Sequence, residues 1–191
     1  VEVINQVKKK AFENHVKIYI IDAIERPLKL YSEMPFVDRY TIDFSEIDSV
    51  LDDIYDETQK RYQVLINNSI EELEKYPQII VVINNKETIE YMSSTKEVLE
   101  KYKQIQKLVK ALRINFIFAD IENTSVSFSA PEILKRIRDG RNAILTDNLK
   151  ETLFFDISPS VARNAKKLQN DDAFFLSGND IKRIKLIREE S

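Results

Sequence analysis

Glycine is almost missing from this chain: among 191 residues there are two, Gly140 and Gly178. A phosphate-cradling loop of the G-x-x-x-x-G-K-[ST] kind needs glycines so that backbone N–H groups can close around the phosphates. Neither glycine has that setting, since they stand in Asp139-Gly140-Arg141 and Ser177-Gly178-Asn179. Cysteine is absent, which excludes disulfides, a thiolate nucleophile and Cys-ligated zinc or iron–sulfur sites, and fits a reducing compartment. The one histidine, His15, excludes a multi-histidine metal site and argues against a His-based triad. No apolar run reaches transmembrane length and no signal-peptide pattern opens the chain. A net charge of -3 argues against a nonspecific binder of nucleic acid or acidic membrane.

What is present is a succession of apolar strands and amphipathic helices, of a size that fits one α/β domain over residues 1–191. No internal repeat, low-complexity stretch or linker divides it. The opening Val1, in place of Met, points to a piece of a longer protein. Helical spacing predicts a helix over Val1–Asn14, with His15 capping its end. Lys17–Asp22 then reads as a short strand covered on both faces. A connection through Leu28–Tyr31 and Pro35–Val37 leads to a strand around Arg39–Ile42. Ser45 is the expected N-cap of a long helix that turns Ile47, Val50, Leu51, Ile54, Thr58, Tyr62 and Leu65 inward.

After Pro77, Gln78–Asn85 is the strongest buried-strand signal of the chain. A helix over about Lys96–Leu112 and a strand over Ile114–Ala119, stopping at Asp120, follow. Ser129-Ala130-Pro131-Glu132 has capping-box spacing for a helix ending near Gly140. Ala143–Leu145 and Thr152–Ile157 are predicted strands about a turn at Asp147-Asn148, and Ser158-Pro159 opens a helix to about Leu168. Ala173–Leu176 and Ile181–Leu186 read as a β-hairpin with an exposed basic face.

This order of elements resembles a RecA-like motor domain downstream of its P-loop helix, and local sequences sharpen the resemblance to the FtsK/SpoIIIE class. Ile18-Tyr19-Ile20-Ile21-Asp22 is similar to that class's second core strand with its terminal Asp. Pro35-Phe36-Val37, Arg39-Tyr40-Thr41 and Lys60-Arg61-Tyr62 resemble its connecting segment and long helix. Ile79–Asn85 takes the place of the Walker B strand, Ile114–Asp120 that of the sensor strand, and Asp172–Leu176 that of a late hairpin. Within the class the chain resembles the last ATPase module of the EssC-type coupling proteins of type VII secretion.

The resemblance implies an α/β, RecA-like (P-loop NTPase type) three-layer sandwich with a mainly parallel sheet and a C-terminal β-hairpin. It also implies a place on the cytoplasmic side of the cell membrane, reached only through a membrane-anchored parent protein. The implied partners are secreted WXG-like substrates and effectors and the upstream ATPase modules; duplex DNA, the partner of a true FtsK-type translocase, is set aside on the acidic charge balance, so no nucleic acid is expected. The departures matter as much. The P-loop either precedes Val1 or was never there. Where a Walker B strand should end in Asp-Glu, to order Mg²⁺ and polarise water, it ends in Asn84-Asn85, and an amide is neither base nor anion. The Lys-Gly expected after Asp22 reads Ala23-Ile24. A degenerate module that does not hydrolyse ATP alone is the expectation; an intact module that still binds ATP with Mg²⁺ is the alternative, and a DNA translocase a third.

Ligands of open parallel sheets gather at the carboxyl ends of the strands, where Asp22, Asn84, Asn85 and Asp120 should lie. They form a relic nucleotide edge or, on the plainer view, cap helices and satisfy loop backbone. Asp48, Asp52 and Asp56, with Asp53 and Glu57 adjacent, form a cation site or, better supported, a solvated acidic face offset by Lys60 and Arg61. Lys96, Lys103, Lys107 and Lys110, and then Lys182, Arg183, Lys185 and Arg188, suit an interface or a solvated surface better than DNA. Arg136, Arg138 and Arg141 are candidates for an arginine finger reaching a neighbour's nucleotide, against the simpler view of surface arginines. Asn67-Asn68-Ser69 matches the glycosylation triplet by chance.

Overall fold

The computed structural model describes residues 16–24, 26–67 and 70–186; the expected helix over 1–14, the His15 cap and most of the Asn67-Asn68-Ser69 triplet lie outside them. The chain divides into two compact units that meet at residues 121 and 122.

The first unit is built on four parallel strands, β1 (Val16–Ile21), β2 (Val37–Thr41), β3 (Gln78–Asn84) and β4 (Ile114–Ala119), in the order β2-β1-β3-β4. β3 contains six buried residues in a row, as expected for a strand covered on both sides. Alternation sorts the side chains. Val16, Ile18 and Ile20 of β1 and Ile80 and Val82 of β3 pack with Leu28, Tyr31 and Phe36 from the connection to β2. The other face lies under helices. α1 (Ile47–Asn67) buries Ile47, Val50, Leu51, Ile54, Thr58 and Arg61, and is followed by the single turn α2 (Ile70–Glu74). α3 (Lys86–Ser94) and α4 (Lys96–Gln106) complete the unit, and Tyr102 of α4 stands edge-on to Phe116, ring centroids 5.4 Å apart.

Four expectations are corrected here. The cap before α1 is Asp43, whose carboxylate accepts from the Ser45 N–H at 2.8 Å and starts a 3-10 turn over Phe44–Glu46. Tyr62 and Leu65 are only half-buried, and Arg61 takes the inward position instead. The helix expected from Lys96 to Leu112 ends at Gln106 and continues as a 3-10 turn over Val109–Ala111. α3 was not expected at all: its inward residues Thr88, Ile89 and Met92 are too few to make an apolar stripe.

The second unit holds α5 (Glu132–Gly140), β5 (Asn142–Leu145), α6 (Pro159–Asn164), β6 (Asp172–Ser177) and β7 (Asp180–Lys185). Its sheet is antiparallel in the order β5-β6-β7. The β6–β7 hairpin turns through Gly178-Asn179 with Ser177 opposite Asp180, and Gly178 adopts φ +59°, which a residue with a Cβ would resist. Residues 152–157 do not form the predicted strand. Phe154 and Phe155 are both buried, with rings 4.9 Å apart, so the alternation a half-buried strand requires is lost. Asn123 holds this stretch, its side-chain oxygen accepting from the Leu153 and Phe154 N–H groups at 2.6 and 3.2 Å. Ser129 does not cap α5; its hydroxyl lies 3.0 Å from that of Ser127, and Pro131 occupies the cap position. α6 stops at Asn164 rather than near Leu168.

Candidate functional site

The parallel register sets Ile21 against Ile83, so the residues that leave β1 and β3 emerge side by side. Asp22 and Asn84 meet there. The Asn84 amide donates to Asp22 Oδ1 at 2.9 Å, while Asp22 Oδ2 accepts from the Leu28 N–H at 2.8 Å and the Tyr40 hydroxyl at 3.0 Å. Asp22 is wholly buried and Asn84 nearly so. Three donors therefore surround one carboxylate, which is what a buried anion needs. Burial, then the hydrogen bond to Asp22, pushes the Tyr40 phenol up to about 12, so it remains a donor through the neutral range. Position 84 faces Asp22 and needs a donor there, which the Asn84 amide supplies. An aspartate there would set two carboxylates against each other.

Asn85 is equally occupied. Its amide donates to the Ala23 carbonyl at 2.6 Å, and its side-chain oxygen accepts from the N–H and hydroxyl of Thr88 at 2.9 and 2.8 Å, capping α3. Its φ of 72° with ψ of 159° is a backbone conformation that glycine alone adopts without strain, so the network holds Asn85 there at a cost. The Asn85 N–H reaches the Ala119 carbonyl at 3.2 Å, bringing the end of β4 alongside. Asp120, the next residue, is exposed with φ 52°. Asp22, Asn84 and Asn85 thus form one buried network, and Asp120 stands outside it in solvent.

ATP with Mg²⁺ does not fit these residues. Mg²⁺ takes carboxylate and phosphate oxygens, but both Asp22 oxygens already accept from protein donors, and Asn84 and Asn85 carry no charge. Among the described residues no cluster of acidic or histidine side chains could hold a metal ion.

The acidic face of α1 is cross-linked rather than merely solvated. Lys101 of α4 reaches Asp48 and Asp52, each at 2.6 Å, and Arg39 of β2 reaches Asp53 at 2.6 Å. Burial works against the Lys101 charge, yet the two carboxylates hold its ammonium above the usual lysine range. Arg61, expected to offset that face from the surface, is fully buried. It donates to Glu57 at 2.9 Å and to the Leu112 carbonyl at 3.0 Å, with its guanidinium over Tyr76. In the second unit Arg136 pairs with Glu132, Arg138 bonds the Val126 carbonyl, and Arg141 ties together the carbonyls of Gly178 and Asp156. Arg138 and Arg141 thereby hold their own unit together.

That unit also contains a groove of about 360 Å³ lined by Leu149, Val161, Ala165, Phe174 and Ile181, with Ser160 and Asn164 as its polar members. Asp172 sits at the base of the β6–β7 hairpin with its side chain almost wholly buried, paired with Arg183 and Lys185. The hydrogen bonds from Arg183 and then Lys185 hold its carboxyl well below the usual range. Nothing in the sequence distinguished Tyr40 or Arg61 as partners. Thr88 alone carried a signal, the Asn-x-x-Thr spacing of a helix cap.

A parallel sheet under helices, followed by an antiparallel hairpin sheet, is the architecture of RecA-like ATPase domains. No protein-family model and no curated protein matches the chain. Among solved structures it is similar to the cytoplasmic domain of the Thermomonospora curvata type VII secretion ATPase EccC, with TM-score 0.65, 15% identity, and 97% of this chain and 22% of that one covered. The cytoplasmic domain of EssC superposes with TM-score 0.61 at 18% identity, covering 89% of this chain and 33% of that one. T. curvata EccC ATPases 2 and 3 in complex with a signal sequence peptide superpose with TM-score 0.59 at 13% identity, over 92% and 31%. At such identities the likeness establishes the fold. The chain spans a third or less of the length of each of these matches.

Proposed function

We propose that this chain is a RecA-like module of a type VII secretion coupling protein that does not hydrolyse ATP, and that it engages exported proteins and influences neighbouring ATPase modules. The observation that carries this reading is the Asp22–Asn84–Asn85 network. At the ends of β1 and β3, where a nucleotide would be processed, Asp22, Asn84 and Asn85 are bonded to one another and to backbone, so neither strand end offers a free carboxylate for Mg²⁺ or a base for water, and only the exposed Asp120 beyond β4 lies outside the network. Protein recognition is supported by the signal sequence peptide held in the similar EccC structure and by the apolar groove of the second unit. In this reading the groove takes the apolar face of a helical segment from a WXG-like substrate, and the module lies on the cytoplasmic side of the membrane as part of its parent protein.

The test is titration of peptides from the ends of the exported substrates, followed by fluorescence anisotropy, against the chain and its Val161→Asp variant. Saturable binding weakened at least tenfold by the variant supports the reading. Equal binding to both, or none, removes the groove and with it the recognition role assigned here.

A further inference from the structure

Two places on the described surface are complementary in both polarity and charge. One is the groove of the second unit. Leu149, Val161, Ala165 and Ile181 line it, and each is followed within two residues by an exposed cation: Lys150, Arg163, Lys166 with Lys167, and Lys182. Residues 157–170 contain three of these cations and no acid. None of the five pairs with a carboxylate among the described residues, and Arg163 bonds the Pro159 carbonyl of its own helix. The groove is therefore apolar within and positive at its rim.

The other is the corner where α1 gives way to α2. Leu73 is buried and anchors the turn of α2, yet Ile66 and Ile70, four positions apart, are 56% and 64% exposed. Over Ile70–Lys75 three glutamates stand against one lysine, and that lysine is already paired with Glu72. Apolar surface rimmed by charge marks a docking face, and opposite signs at two such rims draw them together and fix their register. Resting on the reading of the groove given above, we propose that the groove of a module without substrate is covered by the α1–α2 corner of a second copy of this chain. Ile66 and Ile70 enter the apolar floor, and the glutamates of α2 meet Arg163, Lys166 and Lys167. The contact joins unlike surfaces, so each copy offers one of each and copies associate head to tail. Two apolar side chains and a few rim charges make a weak contact, which suits an occupant that an exported segment must displace.

The test is sedimentation of the chain over a range of concentrations, with two variants at exposed positions, Ile70→Asp in the corner and Val161→Asp in the groove. The chain should associate as its concentration rises, and less so with added salt. Each variant alone should associate at least tenfold more weakly, while an equal mixture of the two should recover a 1:1 dimer and nothing larger, because each keeps the surface the other has lost. Substrate-end peptide should dissolve the association. A single monomeric species at every concentration overturns the proposal, and so does association that Ile70→Asp leaves unchanged or that bound peptide does not disperse. Ile70→Asp keeps its groove, so peptide titrated against it reads the recognition role separately. Peptide binding without association of the parent chain overturns this inference alone; absence of peptide binding removes the reading on which it rests.

Discussion

Buried polar side chains are concentrated in the first unit, with Asp172 the one of this kind among the described residues of the second, whereas large apolar side chains are exposed in both. In the first, polar side chains lie inside and face one another: Asp22, Asn84, Asn85 and Thr88 are all buried at the carboxyl ends of β1 and β3. Ile24, Leu30, Ile66 and Ile70 of the first unit and Phe128 and Leu153 of the second are exposed, but the exposed Val161 also lines the groove of the second. A buried polar group is stable only when its partners are fixed, and in the first unit Asp22, Asn84, Asn85 and Thr88 supply those partners to one another. An exposed apolar surface costs free energy until something covers it, and in the reading proposed above the groove of the second unit is where a partner does so.

The sharpest way to break that contrast is Asn84→Asp. It replaces the amide facing Asp22 with a second buried carboxylate and should cost about 3–5 kcal/mol, the scale for an uncompensated buried charge. Urea unfolding measures it, and an unchanged midpoint would contradict the network.

Asn85→Ala removes the α3 cap and the bond to the Ala23 carbonyl, and leaves alanine at φ 72°. About 1–2 kcal/mol should be lost, read in the same unfolding experiment. Asp172 supplies an acid limb. Its folded carboxyl is held low, so its stabilisation is present above the usual carboxylate range and fades as pH falls below about 4 toward its folded value. Asp172→Asn should therefore be less stable than the parent at pH 7, with the gap narrowing as the pH drops; a gap that does not change with pH would count against the assignment. Smallest in stability is Val161→Lys. As an exposed position it should shift unfolding by less than about 0.5 kcal/mol while abolishing substrate-peptide binding.

Much of the first unit was legible because β1, β3 and β4 are apolar runs bounded by polar residues, and the hairpin because Gly178-Asn179 divides two such runs. Arg61 shows where legibility failed. The spacing Ile47, Val50, Leu51, Ile54, Thr58 leads on to position 61, but charge outweighed periodicity, and only the tertiary contacts with Leu112 and Tyr76 settle an arginine inward. The site was half legible. Strand ends pointed to Asp22, Asn84 and Asn85, but not to their partners, because Leu28 arrives from a connection whose path no local pattern specifies and Tyr40 from β2, whose place beside β1 is set by tertiary pairing. Residues 152–157 misled because two adjacent phenylalanines resemble strand composition, whereas they are anchored by a distant Asn123.

The central claim is that Asn84 and Asn85 are structural, and their side-chain amides can report on it directly. The measurement is an NMR titration of Mg-ATP followed at the side-chain ¹⁵N–H₂ resonances of Asn84 and Asn85. The account predicts slowly exchanging amides whose positions do not move with added nucleotide. Saturable shifts at either amide would mean that the edge still receives a nucleotide, and would contradict it.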